Sequence, residues 1–90
     1  MIVARRFFIG GRMQGVGFRM FAQESAMIEG VNGFVRNLPD RRVEVFAEGD
    51  QEAVDRVESK LRRGPRGARV DQFDVEPASP SHRATGFHIR

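Results

Sequence analysis

Ninety residues, 40% apolar and 30% charged, allow one modest hydrophobic core and exclude two, so residues 1–90 are read as a single domain. The absence of cysteine excludes disulfides and thiolate chemistry and fits a reducing, cytoplasmic setting. The net charge is +3 and Lys60 is the sole lysine among fifteen basic residues; the arginine fork suits phosphate and carboxylate oxygens, although scattered arginines also make an ordinary solvated surface.

The amino end, MIVARRFFIG, is interrupted by Arg5 and Arg6 too early for a signal peptide. No run is long enough to span a bilayer, so no membrane partner is expected. In VARRFFIGG, Val3, Phe7 and Ile9 alternate with Ala4, Arg6 and Phe8, which predicts a first strand. From Phe18 the period changes. Phe18, Phe21, Ala22, Ser25, Ala26 and Glu29 trace one helical stripe, and Gly30 stands where a cap would be. VNGFVRN reads as a second strand and LPDRR as a turn, with Pro39 suited to its second position. RVEVFAEG is the cleanest strand, with Val43, Val45 and Ala47 on one face and Glu44, Phe46 and Glu48 on the other.

Asp50 is placed to act as the N-cap of a second helix, whose Ala53, Val54, Val57 and Leu61 recur at helical spacing before Gly64 and Pro65 end it. ARVDQFDVEP predicts another strand, SPSHRATG a polar connector and FHIR a last short strand. The order strand, helix, strand, strand, helix, strand is the α+β split βαβ, or ferredoxin-like, pattern (βαββαβ). It predicts an antiparallel sheet with two helices on one face. That fold hosts many functions and decides none by itself.

The stretch GGRMQGVGFRMF, Gly10 to Phe21, carries the chemistry. A P-loop would need Lys and Ser or Thr after its last glycine, and a dinucleotide fingerprint a third glycine where Met20 stands. An RNA-recognition motif matches at Gly15, Gly17, Phe18 and Phe21 but fails at Gln14, Arg19 and Val16, where a base would stack. It would also have to lie on a central strand, so no nucleic acid is expected. A glycine-rich turn opening a helix can instead point successive N–H groups into one concave nest, to which the helix dipole adds. Arg19 could clamp two oxygens of an anion of phosphate size there. Gly15 and Gly17 would then spare the loop a Cβ against the ligand. Alternatively the stretch is only a tight turn, with Arg19 paired to a surface carboxylate. The residues alone leave both readings open.

GRMQGVGFR resembles the phosphate-loop signature of the acylphosphatase family, G-R-V-Q-G-V-G/F-F-R. GVNGFVRN followed by VEVFAEG resembles its second block, and FHIR its usual ending. The resemblance spans essentially the whole chain. It implies hydrolysis of the carboxyl–phosphate anhydride of small acyl phosphates, without a metal or cofactor. By position, Arg19 would bind the phosphate with the backbone of Gln14, Gly15, Val16, Gly17 and Phe18, and Asn37 would orient the attacking water.

The turn after the second strand is usually N-x-x-D-G in that family, whereas here it is Asn37-Leu38-Pro39-Asp40-Arg41. Arg41 would either take the left-handed conformation, at about 1–2 kcal/mol, or the turn would change type. Phe34 replaces a common Trp or Tyr, and Met13 a Val. Two alternatives are an acylphosphatase-like domain of a hydrogenase-maturation carbamoyltransferase and a non-catalytic binding module. The first continues into cysteine-rich segments, so a free-standing protein is expected. The second has no use for a water-positioning amide such as Asn37. A small core without an exposed apolar run suggests a monomer. His82 and His88 are expected at the surface or a strand edge.

Overall fold

The computed structural model describes residues 1–13 and 16–90; Gln14 and Gly15, both assigned to the loop by the sequence, lie outside the described residues. In chain order the elements are β1 (Ile2–Arg12), α1 (Phe18–Glu29), β2 (Asn32–Asn37), β3 (Val43–Asp50), α2 (Gln51–Arg63), β4 (Arg69–Ala78) and β5 (Phe87–Ile89). One sheet runs β4-β1-β3-β2-β5, with both helices packed on the same face.

The alternation in β1 and β3 sets that face. Phe7 and Ile9 of β1 and Val43, Val45 and Ala47 of β3 point toward the helices and are buried. Val54, Val57 and Leu61 of α2 meet them, and each large side chain so buried contributes about 1.5–3 kcal/mol. From α1 come the small residues Ala22, Ser25 and Ala26, which let the helix lie close to the sheet. The Ser25 hydroxyl donates to the Phe21 carbonyl (2.8 Å) and so is satisfied where it is buried. Glu29 takes Arg56 at 2.7 Å and Lys60 at 3.7 Å, tying the last turn of α1 to α2.

The helix ends follow local rules. Gly30 adopts φ 70°, ψ 25° and its N–H reaches the Ala26 and Met27 carbonyls, while the Val31 N–H also bonds Ala26. Asp50 does occupy the N-cap of α2, but its side chain makes no capping bond. Its carboxylate instead accepts from the N-terminal ammonium at 3.3 Å.

The expected all-antiparallel sheet requires one correction: β5 pairs with β2 in parallel, through Gly33, Phe34 and Val35 opposite Phe87, His88 and Ile89, so the sheet is mixed. Residues 79–86 cause this by carrying the chain from the β4 edge across the helix-free face to the opposite edge. Glu48 of β3 pins the crossing, accepting from the Ser81 N–H and hydroxyl (2.9 and 2.8 Å) and from the His82 N–H (2.8 Å). Glu44, on the same face, accepts from Arg6 (2.6 Å) and Arg36. Both glutamates are only 4% exposed. Burial opposes their ionisation, but the hydrogen bonds from these donors outweigh it and hold both carboxyls below the usual glutamate value. His82 and His88 are exposed, as expected.

Candidate active site

The cleft lies where β1 ends, α1 begins and β2 turns into β3. Gly11 sits at a β-bulge against β4, with φ 140°, and any Cβ there would collide with the Arg69 carbonyl. Beyond the bulge β1 has left β3 but stays paired with β4 through Arg12, at the foot of the loop. Gly17 then starts α1 at φ 70°, ψ 35°, in the left-handed region. A Cβ on Gly17 would meet nothing within 4 Å. The glycine is therefore required by backbone conformation, and crowding within the protein plays no part.

α1 begins with no side-chain cap and no acidic residue in its first turn. Its first regular bond is from the Phe21 N–H to the Gly17 carbonyl at 2.9 Å. The preceding N–H groups of a helix have no intrahelical partner, and together with the dipole they favour an anion. Arg19 stands in this same turn, a cation where a helix ordinarily places acids.

Asn37 ends β2 opposite Val43, so alternation sends it to the helix-bearing side of the sheet. The turn beyond it is a three-residue hairpin loop. Leu38 and Arg42 close it (Leu38 N–H to Arg42 carbonyl, 2.8 Å), and Arg41 donates to the Leu38 carbonyl at 3.0 Å. Such loops end in a left-handed residue. Arg41 takes that role at φ 74°, so of the two outcomes foreseen for this turn, the strained one holds. The Asp40 carboxylate secures the turn by accepting from the Arg42 N–H (3.0 Å) and Nε (2.7 Å). These bonds keep its pKa below the usual aspartate value.

Arg19 and Asn37 line one open cleft of about 830 Å³, together with Gly17 and Phe18. Phe18 is also a core residue, 3% exposed. Val16 is half-buried and packs against the core without lining the cleft. Neither Arg19 nor Asn37 has a side-chain hydrogen bond or ion pair to another described residue. The tight-turn alternative, in which Arg19 pairs with a surface carboxylate, is thus not realised among the described residues. Leu38, Pro39 and Ile89 add an apolar wall.

Among the cleft residues not assigned to the site from sequence are two arginines, Arg12 and Arg41. Arg12 lies within the glycine-rich stretch Gly10 to Phe21. Arg41 was visible as a departure in the turn, but only the hairpin geometry brings it to the cleft. No group of three or more His, Cys, Asp or Glu that could hold a metal ion occurs among the described residues. No helix there is long and apolar enough to cross a membrane.

The acylphosphatase family model matches residues 5–89. An acylphosphatase of Pseudomonas paraeruginosa is 48% identical over 92% of this chain and 90% of its own, and one of Thermus thermophilus 46% identical over 90% and 91%. The crystal structure of acylphosphatase from Bacillus subtilis superposes with a TM-score of 0.93 at 32% identity, covering 100% of this chain and 99% of that one. With an anion-ready helix start, an arginine and an amide without partners among the described residues lining one cleft, and this likeness along the whole length, the chain belongs to the acylphosphatase family and is a hydrolase of acyl phosphates.

Proposed function

We propose that Arg19 and the loop backbone of Gln14, Gly15, Val16, Gly17 and Phe18 hold the phosphoryl group, and that Asn37 positions the water that attacks it. The observation that carries this reading is that Arg19 and Asn37, eighteen positions apart (37 − 19) on different elements, line one cleft without side-chain partners among the described residues. Phosphoryl transfer depends on placing the reactants and stabilising charge on the equatorial oxygens. Arg19 and the N–H groups do the second. The Asn37 side-chain carbonyl accepts a hydrogen bond from water and fixes it in line; being neutral, it orients the water rather than deprotonating it strongly.

The water oxygen bonds to phosphorus as the phosphorus–acyl oxygen bond breaks. The electron pair leaves with the carboxylate, a stable anion that needs no general acid, and the water protons pass to phosphate and solvent. The apolar wall of Leu38, Pro39 and Ile89 receives the acyl part. This scheme uses no metal or cofactor.

The reading takes residues 1–90 as one domain, supported by the family match over 5–89. It takes the protein as a monomer. A cytoplasmic location is proposed on the cysteine-free composition.

The test is hydrolysis of benzoyl phosphate in the presence of a chelator. Asn37→Ala should lower kcat about 10²–10³-fold while still binding inorganic phosphate, and Arg19→Ala should lose both, with kcat/KM down about 10³-fold. Wild type that binds phosphate without exceeding the uncatalysed rate would reduce the loop to an anion-binding module. Equal loss of phosphate binding in both variants would remove the division of roles.

A further inference from the structure

The cleft holds more positive charge than a simple acyl phosphate can use. Arg12, Arg19 and Arg41 all line it, and no Asp or Glu does. None of the three forms an ion pair or side-chain hydrogen bond with another described residue. Most arginines outside the cleft are engaged: Arg5 with Asp55, Arg6 and Arg36 with Glu44, Arg56 with Glu29, Arg62 with Glu58. Near the cleft the available acids are likewise committed. Asp40, adjacent to Arg41 in sequence, is spent on Arg42. Arg69, the strand partner of Arg12, takes Asp71.

Arg41 also sits where its backbone is strained. A left-handed residue is needed to close the hairpin, glycine would supply it freely, and an arginine is found there at φ 74°. Non-glycine residues held in that region carry a backbone cost and cluster at functional sites; the other such residue here, His82 at φ 57°, lies in the connector outside the cleft. Loop N–H groups, the dipole of α1 and Arg19 suffice for one phosphoryl group. Arg41 comes from a different element, the turn that also supplies Leu38 and Pro39 of the apolar wall.

Resting on the assignment of Arg19 and Asn37 above, we propose that Arg41, with Arg12, selects acyl phosphates whose acyl part bears a second anionic group, a carboxylate at the end away from the phosphate. The planar fork of Arg41 receives that carboxylate while the carbon framework lies on Leu38, Pro39 and Ile89. Arg41 is a specificity residue and takes no part in the bond changes.

The experiment compares 4-carboxybenzoyl phosphate with 4-methylbenzoyl phosphate, which share the ring and the acyl phosphate and differ in whether the far end carries a charge. Wild type should favour the carboxylated substrate about five- to tenfold in kcat/KM, through KM, and less so at high salt. Arg41→Gly should remove the preference while leaving 4-methylbenzoyl phosphate within about twofold, and should raise the melting temperature by releasing the strained backbone. Arg41→Lys, which keeps the charge and loses the fork, should keep only a minor part of the preference. Equal kcat/KM for the two substrates in wild type, or an equal loss on both in Arg41→Gly, overturns the selection and leaves the acylphosphatase site standing; the second result would mean that Arg41 only positions Asn37. Wild type inactive on both overturns the site assignment, and this selection with it.

Discussion

The two helices pack side by side on one sheet face, yet they begin in opposite electrostatic senses. α2 carries Glu52 in its first turn and Lys60, Arg62 and Arg63 in its last, the distribution that complements a helix dipole. α1 has no acid in its first turn, no base in its last, a left-handed glycine as its cap and Arg19 one residue further in than its first position. The charges of α2 thus complement its dipole, whereas α1 leaves positive potential unanswered at the point where we place the substrate's phosphate. The same division runs through the arginines. Among the described residues, those outside the cleft are mostly paired, and those lining it are not. Departures from local stability rules therefore mark the site more sharply than any single residue type does.

The largest test of the contrast is Leu61→Ala in α2. Truncating this fully buried side chain should cost about 3 kcal/mol, read from urea denaturation followed by circular dichroism, since the chain has neither Trp nor Tyr. The fraction still folded should retain wild-type kcat. A fall in kcat would tie α2 to the site and blur the contrast.

Next is acid. Glu44 and Glu48 have folded pKa values lowered beneath 4.5. Their contribution is complete above the unfolded value and is lost as pH falls through the folded one. Stability should accordingly decline below about pH 4.5. Glu48→Gln should cost about 2 kcal/mol at pH 7, the value of hydrogen bonds to a charged acceptor, and should flatten the acid decline. An unchanged acid limb would mean that the bonds to Ser81 and His82 are not what lowers the Glu48 pKa.

The smallest effect is the most direct. Arg19→Glu should stabilise the fold by about 0.5 kcal/mol, by giving α1 the acid its first turn lacks, while abolishing hydrolysis of benzoyl phosphate. Destabilisation would show that Arg19 has a structural partner after all.

Much of this was legible in the sequence because it rests on local rules. Gly30 and Gly64 marked both helix ends, since a helix stops where the backbone turns left-handed or loses its pattern. The alternation in RVEVFAEG assigned Val45 and Glu44 to opposite faces. That both faces would be buried was not legible. Covering Glu48 depends on a connector more than thirty positions away (81 − 48 = 33), and covering Glu44 on guanidiniums from β1 and β2. The direction of β5 was hidden for the same reason, since a three-residue strand says nothing of which edge it will reach. At the site, Arg19 and Asn37 were readable through motif resemblance. Arg41 was readable only as an anomaly, because sequence places a residue in a turn without saying whether the turn will accommodate it or rearrange.

The strand order also sets a folding clock. Only β2 and β3 are neighbours both in sequence and in the sheet; β1–β3, β1–β4 and β2–β5 all join distant segments. Topologies dominated by such pairings fold slowly, because each closes a long loop before any contact stabilises it. The single local hairpin is the one turned by Arg41 in its strained conformation. The one strand pair able to form early thus carries a backbone penalty at its tip, and the cleft assembles only when the remote strands have docked.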